Sequence, residues 1–108
     1  MELYDPDFST TFMMDYAIAD RFGLDAVRDT YRRAFDAWKD DVRYMADMVI
    51  VLNQRCWMWY AEYEKGGKER AKEFSELYAE LYHRANDYCY GRWEYGTEEA
   101  EYYFRMTD

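Results

Sequence analysis

The 108-residue chain contains one histidine, one proline, two cysteines and only two serines, and each scarcity closes off a class of chemistry. Nucleophilic catalysis of the Ser-His or Cys-His kind needs a base beside its nucleophile. His83 is the sole imidazole, and Ser75 stands eight residues before it, about two helical turns away. Neither Ser9 nor Ser75 sits in a nucleophile-elbow context, and no glycine-rich phosphate loop is present. The stretch Glu80-Leu81-Tyr82-His83 matches the Glu-x-x-His pair of di-iron bundles, but a second pair is missing. Only a dimer could complete such a site. The residues therefore point away from an enzyme, with no catalytic residue, no metal ligand set and no cofactor.

Cys56 and Cys89 lie in apolar, helix-like segments with no Cys-x-x-Cys spacing, so free thiols are expected, with a disulfide as the alternative. No run of 18 or more apolar residues occurs, which leaves no segment reading as a membrane span. The start, Met1-Glu2-Leu3-Tyr4-Asp5, is acidic and does not read as a signal peptide. The expected location is the cytoplasm.

What the chain has in excess is aromatic rings and acids. Aromatic residues number 23, of which 13 are tyrosine, against 11 for Leu, Ile and Val together. Buried phenols need hydrogen-bond partners, so some rings should sit at the surface, where Tyr and Trp are the residues that dominate binding hot spots. A tyrosine-rich core with wet edges accounts for them equally well. The net charge is −9, concentrated in residues 1–30 and 67–108. An acidic protein repels nucleic acid and anionic membranes, so direct nucleic-acid binding is not expected. A basic partner is compatible, including a protein whose ordinary ligand is nucleic acid.

Periodicity predicts an all-α fold, a small bundle of four to five helices in a single domain spanning 1–108. Pro6 keeps 1–8 extended. A first helix over 10–22 places Phe12, Tyr16 and Ala19 on one face, with Ser9, Thr10 or Thr11 as cap and Gly23 as stop. Asp25 is the expected cap of a second helix over 25–39, with Val27, Tyr31, Ala34 and Trp38 inward. An uninterrupted helix to residue 65 would reach ~60 Å, too long for this domain, so a break is placed at Lys39-Asp40-Asp41. The third helix, 41–65, carries Val42, Met45, Val49, Leu52, Cys56, Trp59 and Tyr63 and closes at Gly66-Gly67. Its segment Cys56-Trp57-Met58-Trp59-Tyr60 is apolar all round; either neighbours cover Trp57 and Tyr60, making this the central helix, or they form an interface. A fourth helix over 68–90 turns Phe74, Leu77, Leu81, Ala85 and Tyr88 inward and stops at Gly91, and a short last helix starts at the cap Thr97.

Glu69, Glu73, Glu76 and Glu80 recur at intervals of 4, 3 and 4 along the fourth helix, forming one acidic strip. A solvated helix face explains it, and so does a charged edge of a partner surface. With Tyr102 and Tyr103, these glutamates are the candidate partner-binding residues.

Ile18-Ala19-Asp20-Arg21-Phe22-Gly23, the stretch Ala26-Val27-Arg28-Asp29-Thr30-Tyr31-Arg32-Arg33-Ala34-Phe35 and the ending Tyr102-Tyr103-Phe104-Arg105-Met106-Thr107-Asp108 resemble the small acidic helical proteins carried by phages and conjugative elements of gut bacteria. The resemblance covers nearly the whole chain, but its motifs carry no mechanism and no catalytic residue. It implies an inhibitor of a host defence protein that binds nucleic acid, of the anti-CRISPR or anti-restriction type. The other expectation is a self-associating structural or regulatory protein, a homodimer held by aromatic surface.

Overall fold

The computed structural model describes the backbone of residues 9–108 and the side chains from Met14 onward. Five helices follow one another: α1 (Ser9–Phe22), α2 (Leu24–Trp38), α3 (Val42–Gly66), α4 (Glu69–Arg92) and α5 (Glu98–Thr107). The described residues contain no strand. The expected extended segment 1–8, the capping of the first helix and the inward position of Phe12 lie outside the described residues.

The helix breaks follow from backbone chemistry. Gly23 adopts φ 92°, a region open to glycine and costly for other residues. Its carbonyl accepts from Ala26, so α2 begins one residue before Asp25. Asp25 is therefore not the cap: it lies in the first turn, where its carboxylate pairs with Arg28 and complements the positive helix end. Between α2 and α3, at the expected break, Asp41 caps α3, its side chain accepting from the Tyr44 amide at 3.0 Å. Gly67, at φ 64°, closes α3 with its amide on the Tyr63 carbonyl. Helix α4 does not stop at Gly91, which keeps a negative φ, but continues to Arg92. What ends it is Trp93, buried with its ring 5.8 Å from that of Tyr103. Thr97 caps α5 by accepting from the Ala100 amide.

The antiparallel pair α3–α4 forms the middle of the bundle. The Ser75 hydroxyl donates to the Cys56 carbonyl at 3.0 Å, and the Lys72 ammonium lies 5.9 Å from the Tyr63 ring centre. Met45, Val49 and Leu52 of α3 meet Phe74, Leu77, Leu81 and Ala85 of α4 in one buried cluster, which Val27 and Tyr31 of α2 and Ala100 and Tyr103 of α5 complete. The hairpin α1–α2 lies along one side of this pair, tied by Arg28 to Glu80 and by the Phe35–Tyr88 ring contact at 5.2 Å. Helix α5 covers another side, near the N-terminal half of α3 and the C-terminal half of α4.

Candidate functional site

The acidic strip occupies one face of α4: Glu69, Glu76 and Glu80 are exposed and Glu73 is half-buried. Its last member is already engaged, because Glu80 accepts from the Arg28 Nε at 2.7 Å. Tyr102 and Tyr103 stand elsewhere. Tyr103 is 1 % exposed and donates its hydroxyl to the Asn86 Oδ1 at 2.6 Å, so it is a core residue and not a partner contact. The reason is the amphipathic phase of α5, which turns Tyr103 with Ala100 onto α4. Tyr102 is half-buried in an open groove of about 500 Å³ that Asp41, Glu98, Glu99 and Glu101 line with acid. The guanidinium groups of Arg43 and Arg105 lie 5.7 and 5.8 Å from its ring centre. This groove is at the α3 N-terminus, whereas Glu69 is at the opposite end of the bundle, a 24-residue helix away, or ~36 Å. The strip and Tyr102 do not make one surface.

The most concentrated polar chemistry is a buried cluster that the periodicity conceals. Asp15 of α1 is 3 % exposed. Its Oδ2 accepts from the Tyr31 hydroxyl at 2.5 Å and the Tyr78 hydroxyl at 2.7 Å, and lies 3.4 Å from the Arg55 guanidinium. Arg55 in turn donates to the Tyr31 oxygen at 2.6 Å. Burial pushes the Asp15 carboxyl upward, although both tyrosine bonds and Arg55 pull it down. Burial likewise raises the Tyr78 phenol. Four helices meet in this knot, which satisfies two phenols and a buried charge at once. It is closed to solvent and suited to fastening the fold.

His83 is exposed on α4 with its ring edge against Tyr82 at 5.2 Å, and its neighbour in the Glu-x-x-His match, Glu80, is spent on Arg28. Among the described residues, no three His, Cys, Asp or Glu side chains gather as a metal site. Cys56 and Cys89 are both free, the first half-buried and the second buried, where desolvation pushes its thiol up to about 11.

The exposed aromatic surface lies on α3. Trp57 is 63 % exposed, Tyr60 45 % and Met58 42 %, with the Trp57 and Tyr60 rings edge to face at 5.9 Å. Of the two explanations for this segment, cover by neighbouring helices does not hold for Trp57 and Tyr60, and geometry explains it. The last turn of α5, Met106 and Thr107, lines a recess with Val49, Ile50, Asn53 and Gln54 of α3. Positions 53, 57, 60 and 64 repeat at helical spacing, so Trp57 and Tyr60 continue the α3 stripe past the point where α5 ends. An acid borders them: Glu64 is exposed, and the Tyr60 phenol is raised chiefly by its hydrogen bond to this carboxylate. The all-round apolar segment was the sequence signal for this face; which of its two explanations holds depends on the length and placement of α5.

No protein-family model, no curated protein and no solved structure matches the chain.

Proposed function

We propose that this chain is a non-catalytic binding protein that docks its α3 face on a basic protein surface. Trp57 and Tyr60 are the anchors, and Glu64 the charged rim. The observation that carries the reading is the Trp57–Tyr60 pair, large rings left in solvent beside the Glu64 carboxylate on a chain of net charge −9. Amphipathic rings of this kind form hot spots, while surrounding charges steer the encounter. Glu69, Glu73 and Glu76 add to the steering field from α4; Glu80, neutralised by Arg28, adds little. Tyr102 offers a second aromatic contact within its acid-lined groove. The resemblance to small acidic proteins of phages and conjugative elements supports a cytoplasmic, nucleic-acid-binding host defence protein as the partner, blocked at a basic site in the anti-CRISPR or anti-restriction manner.

The test is affinity capture from a bacterial host lysate, followed by competition. The captured protein should bind nucleic acid, and DNA or RNA should displace it from the chain. Trp57→Ala should weaken the complex by about thirtyfold, the effect of a hot-spot residue. Capture insensitive to nucleic acid and unaffected by that substitution would refute the proposal. The same exposed pair also favours a second reading, self-association. In that case sedimentation shows a stable dimer without any partner, and Trp57→Ala makes it a monomer.

A further inference from the structure

The recess at the turn from α3 into α4 has a net positive lining, opposite in sign to the molecule. Lys65, Lys68 and Arg70 line this recess of about 330 Å³, in which Glu62 is the one acid, although the chain as a whole carries −9. The cations are not equivalent. One Arg70 nitrogen donates to the Ala19 carbonyl at 2.9 Å, and its guanidinium lies 5.6 Å from the Phe74 ring centre. That fixes the plane of the fork and leaves its remaining donors available. Lys65 and Lys68 are exposed and free to close over a ligand. Helix α4 opens at the same rim with Lys68 as its cap residue, a side chain with no acceptor for the first-turn amides, so the positive helix end adds to the field.

The wall of the recess is aromatic and stiff. Trp59 and Tyr16 both line it, their rings 9° from parallel with centres 6.3 Å apart, and Trp59 stacks at 4.7 Å on the fully buried Phe74. A flat, backed ring surface beside a fixed guanidinium and two mobile ammonium groups suits a planar ring joined to an anionic group. A volume of 330 Å³ is that of a small-ligand pocket and exceeds what a bare phosphate fills.

We infer that this recess binds a small organic anion bearing a planar ring, of the nucleoside monophosphate class. Its phosphate lies among Lys65, Lys68 and Arg70, and its base lies on Trp59 and Tyr16. The inference does not depend on the docking face of α3.

The experiment titrates the isotope-labelled full chain with adenosine monophosphate and follows amide and indole resonances. Saturable shifts are expected in residues 65–71 and at the Trp59 indole. Adenosine alone and inorganic phosphate alone should each bind about tenfold or more weakly, since base stacking on an aromatic ring and charge contact each supply a factor of that order. Lys65→Gln with Lys68→Gln should weaken the nucleotide about twenty-five-fold, a factor of about five for each unit-charge contact. Tyr16→Leu should weaken the nucleotide but not phosphate. Unchanged circular dichroism shows that these surface variants fold. The inference fails if millimolar nucleotide produces no saturable shift, if the shifts lie elsewhere, if phosphate alone binds as tightly, or if the double lysine variant binds like the wild type.

Discussion

Replacing Asp15 with Ala should be among the most damaging single changes in this protein. It removes the one acceptor shared by Tyr31 and Tyr78 and takes a carboxylate away from the buried Arg55 guanidinium. Breaking a buried pair in this way costs about 3–5 kcal/mol, a large share of the ~5–15 kcal/mol that holds a small domain folded. Asp15→Asn keeps an oxygen for the tyrosines and loses only the charge, so it should cost less than the alanine. Tyr78→Phe deletes a single bond and should cost about 1–2 kcal/mol. Tyr31→Phe should cost more, because the Tyr31 oxygen also accepts from Arg55. Urea unfolding followed by far-ultraviolet circular dichroism and tryptophan fluorescence measures all four. The pH dependence adds a signed check. Burial holds the Asp15 carboxyl above its ordinary value of 3.8, so in the window above that value the folded state binds more protons than the unfolded state. The contribution of this group is full below the unfolded value and is lost as pH rises through the folded one. The cost of Asp15→Asn should therefore shrink as pH rises above 3.8. A cost for Asp15→Ala below about 1 kcal/mol, in the range of ordinary surface changes, would refute the knot as a fastening. An Asp15→Asn cost that grows with pH would show that Arg55 outweighs burial.

Two further outcomes separate surface from core. Trp57→Ala should change unfolding free energy by no more than about 0.5 kcal/mol, whereas Trp59→Ala, two residues along the same helix, should cost about 3 kcal/mol because it strips the ring stacked on Phe74. Cys56 should react with a thiol reagent in the native protein well before Cys89, whose thiol is buried and pushed up to about 11. After denaturation without reductant both thiols should titrate, and a missing pair would reveal a disulfide.

Much of the fold was legible because helix periodicity and cap chemistry are local. Val27, Tyr31, Met45, Val49, Leu52, Phe74, Leu77, Leu81 and Ala85 all point inward as their spacing demands, and Asp41 and Thr97, short acceptors at helix starts, cap α3 and α5. The misreadings arose where a non-local contact decided. Gly91 looks like a stop, but glycine tolerates a helix, and the end of α4 is set by Trp93 packing on Tyr103 from another element. Nothing in the spacing singles out Asp15, on which three partners 16, 40 and 63 residues away converge. The candidate site divides in the same way. The glutamate strip is visible as spacing, and three of its four members are exposed. That Glu80 is consumed by an arginine 52 residues earlier, that Tyr103 faces inward, and that α5 leaves Trp57 and Tyr60 bare are properties of how the helices are arranged, which spacing within one helix does not encode.

The charge of the molecule decides what an exposed Trp57 selects. Two copies meeting at this face each bring a charge of −9 and repel, whereas a basic surface is drawn in from beyond contact distance. Both effects are screened over ~10 Å at 0.1 M salt, but with opposite consequences. Raising salt from about 50 mM to about 500 mM should strengthen any self-association through the aromatic pair and weaken the complex with a basic partner. The loss in the second case should lie mainly in the association rate, because a rim carboxylate such as Glu64 acts on encounter. Dissociation should change little, being governed by the desolvated rings. Glu64→Lys should move the low-salt association rate toward its high-salt value, and Trp57→Ala should speed dissociation at every salt concentration. Surface plasmon resonance across the salt series resolves the two rates. A complex that tightens with salt, or whose association rate ignores the charge reversal, would mean that Glu64 borders the aromatic face without taking part in recognition.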